Sequence, residues 1–144
     1  MNAAVATSHP APLRDKVSFW TLMFGCCAAP VFWAGQLMLG YWVSAQTCYA
    51  SDHPTVTQMP QTLHAAFVVF DVVAIVAALA GGAVSLWAWR TTREEKEGGA
   101  RHALHVGEGR VRFMALWGIM SSLWFLGAII FNTIGSLMVP LCTP

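Results

Sequence analysis

The chain has 144 residues, 56% of them hydrophobic and only 10% charged, with a formal net charge of +1 and a mean hydropathy of +0.55. Soluble domains carry about 25% charged residues, so this balance excludes an ordinary water-soluble domain, and the near-neutral charge gives no footing for nucleic acid. Three long apolar blocks use up most of the length and leave little for a soluble catalytic domain.

In chain order, residues 1–16 form a short polar tail ending in Arg14 and Lys16. The first predicted span covers 17–45 and passes the ~20 residues that a helix needs to cross the hydrocarbon of a bilayer. "VSA" at 43–45 resembles a signal-peptidase site, but the apolar stretch is about twice the length of a signal h-region, so a retained helix is expected. Within it, Pro30 is expected to kink the helix. Cys26 and Cys27 are adjacent and in apolar surroundings, and they read as inert packing residues. A connection over 46–63, "QTCYASDHPTVTQMPQTL", contains no Lys or Arg.

The second predicted span, 64–89, includes "FVVFDVVAIV", in which Asp71 is the single charged letter. A carboxylate at the centre of a bilayer costs at least ~2.5 kcal/mol on insertion scales, so it needs a reason. The connection 90–111 carries most of the basic residues and four Glu, and reads as a solvated loop. His102 and His105 are spaced i, i+3 within it and read as a solvated pair, while "GEG" at 107–109 lacks the strand and Lys of a phosphate loop. The third span is expected at 112–139, followed by a tail at 140–144. The expected fold class is therefore all-α, an integral membrane protein of three transmembrane helices forming a single membrane domain.

All eight Lys and Arg fall in two places: Arg14 and Lys16, and the six from Arg90 to Arg112. The positive-inside rule then makes the N-terminus and the 90–111 connection cytoplasmic. The 46–63 connection and the C-terminus face the periplasm, which makes the chain a multi-pass protein of the bacterial inner membrane. Trp20, Trp87 and Trp89 are expected at the cytoplasmic interface and Tyr41, Trp42 and Tyr49 at the outer one, with Trp33 and Trp124 deeper as packing residues.

This topology puts Cys48 and Cys142 just beyond the outer ends of their helices in an oxidising compartment, and a disulfide between them is expected. Closing so long a loop is worth ~4–5 kcal/mol in the chain-entropy model. The competing reading is a soft Cu(I) site drawn from Cys48, His53, Met59, His64, Met138 and Cys142, although their spacing forms no compact ligand motif.

Steps of three and four from Asp71 trace one face through Ala74, Ala78, Gly82 and Ser85, and upward through Phe67 to His64. Such a stripe of small residues is where membrane helices approach closely. On the first span Gln36 shares a stripe with Cys26, Ala29, Trp33 and Gly40. On the third, Asn132 shares one with Gly118, Ser121, Phe125, Ala128 and Ser136. Counted from the outer ends, the three polar residues lie ~10–14 Å deep, so a buried polar cluster of Gln36, Asp71 and Asn132 is expected. It reads first as hydrogen-bonding glue between helices. A proton or ion path running outward from Asp71 through His64 is the sharper alternative.

Residues 107–144 carry a "GRVRFMA" start, a small-residue helix, and Pro140 and Cys142 close to the end. With Cys48 after the first span, these features resemble small inner-membrane proteins encoded beside haem–copper (cytochrome c) terminal oxidases in proteobacteria. The family has Pro and Cys adjacent, where here Leu141 separates them. The resemblance implies association with cytochrome oxidase rather than an activity, and no cofactor. The spans contain no nucleophile–base pair, di-carboxylate or bis-His haem pair, so no catalytic residue is expected and the chain is not read as an enzyme. The functional expectation is a non-catalytic accessory or assembly protein of the respiratory chain. It would contact lipid and either oxidase subunits or a second copy through its small-residue faces and outer loop. The alternatives are periplasmic copper handling for the oxidase and an Asp71-centred proton or ion relay in an oligomer.

Overall fold

The computed structural model describes residues 17–49, 60–92 and 110–138. His53, Met59, His102, His105 and Cys142 lie outside these residues, as do the chain ends and most of both connections.

The described residues form an all-helical bundle: α1 over Phe19–Cys48, α2 over Gln61–Thr91 and α3 over Arg110–Met138. All three helices are long and apolar enough to cross a membrane. Each packs against both others. α2 runs past its expected span at both ends, α1 at its C-terminal end and α3 at its N-terminal end, while α1 begins two residues late and α3 ends one residue early. Ser18 O accepts from the N–H groups of Thr21 and Leu22 at 3.1 and 3.2 Å. Thr47 and Thr92 each return a hydroxyl to the carbonyl four residues back, Val43 O at 2.7 Å and Ala88 O at 2.9 Å. As a result Cys48 is the last residue of α1 rather than a residue beyond it.

Pro30 stands inside a continuous α1. Proline has no N–H, so the carbonyl of Cys26, four residues earlier, loses its helical donor. Ser121 of α3 donates its hydroxyl to that carbonyl at 3.3 Å, a long but well-placed substitute. Ser122 donates to Gly25 O at 3.4 Å, and the Cys26 thiol donates to Met114 O at 3.4 Å. These three bonds join α1 and α3 along one seam.

The bundle is packed in layers. At the end nearest Val17, Leu22, Ala88, Val111 and Ala115 form an apolar cluster with Trp89 and Met114 against it. Above it, Gly25 of α1 and Gly118 of α3 clasp the side chain of Ser85 from α2, so closely that a Cβ at either glycine would collide with Ser85 Oγ. Close backbone approach through small residues is the usual means of association where lipid offers no hydrophobic drive. A second apolar cluster follows, Ala29, Ala74, Ala78 and Ile129, closed by Phe70 and by Trp33 against Phe125 at 5.2 Å. Beyond it comes a polar layer.

The inward face of α2 is Asp71, Ala74, Ala78, Gly81, Ser85 and Ala88, close to the expected stripe, with Val69, Val73 and Val76 outward. On α3 the inward face is Val111, Ala115, Gly118, Ser122 and Ile129. It shares Gly118 with the expected stripe and then diverges, by a step of four where three was expected. One residue is ~100° of helical turn, and the difference has consequences for both Trp124 and Asn132. Trp124, expected to pack inside, is 79% exposed. Asn132 sits at the edge of the interior rather than facing its centre.

Candidate functional site

The polar layer centres on Gln36 and Asp71, which are 3% and 4% exposed. They face each other because each lies on the inward stripe of its own helix, one layer above the Ala29–Ala74–Ala78 cluster. Gln36 Nε2 donates to Asp71 Oδ1 at 2.7 Å and to Thr133 Oγ1 at 3.0 Å, so one amide group ties all three helices together. The two N–H bonds of that amide are thereby used. Its carbonyl oxygen Oε1 is buried with no partner among the described residues.

The contact from α3 is thus Thr133 and not Asn132, which follows from the rotation of the α3 face. Asn132 lies alongside, half-buried, in the wall of a cavity of about 210 Å³. Gln36 and Gly40 of α1, His64, Phe67, Val68 and Asp71 of α2, and Asn132, Gly135, Ser136 and Leu137 of α3 line it. His64, exposed and near the start of α2, shares this wall with Asp71. The cavity therefore leads from the buried carboxylate toward the Gln61 end of α2.

Of the residues weighed for copper, Cys48 is buried at the end of α1, and His64 and Met138 are exposed. Among the described residues no three His, Cys, Asp or Glu side chains come together as a metal group. The Cys142 partner expected for Cys48 lies outside the described residues; Cys26 and Cys27 are free thiols within α1.

Three features escaped the sequence reading. Thr133 differs from Asn132 by one position on a face that admits two helical registers. The Gly25–Ser85–Gly118 clasp needs three helices in register; Ser85 and Gly118 stand on the expected stripes, whereas Gly25 lies one position before the Cys26 of the expected α1 stripe. The Ser121 bond to Cys26 O was signalled by Pro30, since a proline within a span implies a carbonyl in want of a donor. At the opposite end, the Arg112 guanidinium lies 5.3 Å from the ring centre of Trp89. This cation–π contact anchors the basic start of α3 on the end of α2.

In chemical terms the site offers a carboxylate, amide oxygens, a hydroxyl and an imidazole on one side of a space with apolar walls. It combines hydrogen-bond acceptors with room for a small guest. Comparison of the chain with protein-family models, with curated proteins and with solved structures finds no match.

Proposed function

We propose that this chain is a non-catalytic accessory or assembly protein of a respiratory haem–copper oxidase, held in the bacterial inner membrane and acting through its helix surfaces. The observation that carries the proposal is the outward face of α3. Trp117, Met120, Trp124 and Phe131 are 62, 63, 79 and 81% exposed and recur in steps of three, four and seven along one side. The small-residue faces, expected as partner surfaces, are occupied by the chain's own helices around Gly25, Gly81 and Gly118. The aromatic side of α3 is an exposed surface that could meet a neighbour, and α3 is also where the resemblance to oxidase-associated proteins lies. Large aromatic side chains are the usual anchors of a protein contact.

The same proposal includes an orientation with the N-terminus and the 90–111 connection cytoplasmic and the C-terminus periplasmic. The distribution of Lys and Arg supports it. It also includes a Cys48–Cys142 bridge. In support, only Cys26 and Cys27 are free among the described cysteines.

The test is copurification of the tagged full-length protein from native membranes. Comigration with oxidase subunits on a native gel is expected, with altered oxidase haem spectra on deletion. A combined Trp117→Ala, Trp124→Ala, Phe131→Ala variant should fold and lose comigration, because none of the three side chains packs in the interior. A protein that migrates alone, and whose deletion leaves the haem spectra unchanged, overturns the proposal.

A further inference from the structure

We infer that the cavity beside Asp71 is a binding site for a small organic ammonium ion, a primary amine with a short apolar body. This inference does not rest on the association proposed above.

The first observation is charge. Asp71 is 4% exposed and accepts a hydrogen bond from the neutral Gln36 amide. None of the eight Lys and Arg falls between Lys16 and Arg90 or after Arg112. The described ones, Arg90 and Arg112, sit at the far end of the bundle. A buried carboxylate calls for a partner cation, and among the described residues no Lys or Arg lies near it; the His64 imidazole is the one basic group sharing its cavity wall. The second observation is the Gln36 carbonyl, buried with no partner among the described residues, on a side chain that lines the same cavity. An orphaned acceptor of this kind is destabilising until a donor reaches it. An ammonium group offers three N–H donors and one positive charge. It would satisfy Asp71, Gln36 Oε1 and a third oxygen from Asn132 or Ser136.

Size and lining select an organic cation over a bare metal ion. A cavity of about 210 Å³ is far above the ~10–15 Å³ that a single water needs by the same measure. The walls beyond the oxygens are Phe67, Val68 and Leu137, which suit a short alkyl or aryl body.

The probe is n-butylammonium chloride added to the purified full-length protein in detergent, read as the thermal unfolding midpoint. A saturable rise in Tm is expected, absent with sodium chloride at the same ionic strength. Asp71→Asn keeps an oxygen for Gln36 Nε2 and should unfold near the wild-type Tm, with binding weakened at least about tenfold, as befits loss of a charge-assisted bond. Gly135→Val is a second variant. Gly135 lines the cavity and a Cβ there meets no atom within 4 Å, so a larger side chain can be added to the lining without straining the bundle. It should abolish the butylammonium effect while leaving the unliganded Tm unchanged. The inference is overturned by any of three results: no stabilisation by butylammonium, equal stabilisation of Asp71→Asn, or an equal effect of sodium chloride, which would mark a site for a monatomic cation instead.

Discussion

A carboxylate buried among apolar helices is tolerated only when its oxygens are engaged, and for Asp71 the engagement runs through a single amide. Gln36 Nε2 at 2.7 Å gives the energetic content of the polar layer, about 0.6–2 kcal/mol per interhelical bond. Replacing Asp71 by Asn preserves the acceptor and should change stability by less than about 1 kcal/mol. Asp71→Leu removes it and should cost more, despite being the more lipid-soluble residue, because Gln36 Nε2 is left with Thr133 alone. Unfolding in mixed micelles of rising dodecyl sulfate content, followed by helical circular dichroism, resolves the two. The same assay separates Thr133 from Asn132. Thr133→Val should cost about 0.6–1 kcal/mol, whereas Asn132→Ala should be close to neutral. That Gln36 and Asp71 would meet could be read from step counting, since both helices present one narrow small-residue stripe. The partner on α3 could not, because α3 has small residues on two adjacent registers and only packing chooses between them.

At the scale of the element, the helices themselves were legible from apolar length, and their lipid-facing sides from the runs of Val on α2. What the sequence could not give was the vertical register in which three small-residue stripes interlock. Ser85 between Gly25 and Gly118 fixes that register, and a double-mutant cycle exposes it. A Cβ at Gly25 collides with Ser85 Oγ, but its next neighbours, Gly81 O and Ser85 Cβ, are at 3.4 and 3.5 Å, ordinary contact distances. Gly25→Ala should therefore cost about 1–3 kcal/mol alone and much less in a Ser85→Ala background. Gly118→Ala should be rescued far less well. Its Cβ would still lie 3.1 Å from Ser85 Cβ and 3.2 Å from Gly25 O, and backbone cannot move aside. Gly127→Ala is the control: its Cβ meets nothing within 4 Å, so the higher helix propensity of alanine should leave stability unchanged or raise it by up to about 1 kcal/mol. Equal penalties at all three glycines would mean that the clasp does not set the register.

For the whole molecule the governing asymmetry is between its two ends. One end holds Arg90 and Arg112, the latter against Trp89; the other holds the polar layer, its cavity and Cys48. Helix packing alone is indifferent to which end faces the cytoplasm, and only the placement of Lys and Arg breaks the tie. The Cys48–Cys142 bridge therefore depends on the orientation, since a disulfide persists only where the compartment is oxidising. Intact spheroplasts treated with a membrane-impermeant maleimide test both at once. Cys48 and Cys142 should stay unlabelled before reduction and become labelled together after it. A cysteine introduced at Ala100, within the basic connection, should react only once the membrane is lysed. Labelling of Cys48 without reductant would remove the bridge but keep the orientation. Labelling of the Ala100→Cys variant in intact cells would invert the orientation and place Cys48 in a reducing compartment, where a bridge to Cys142 would not survive.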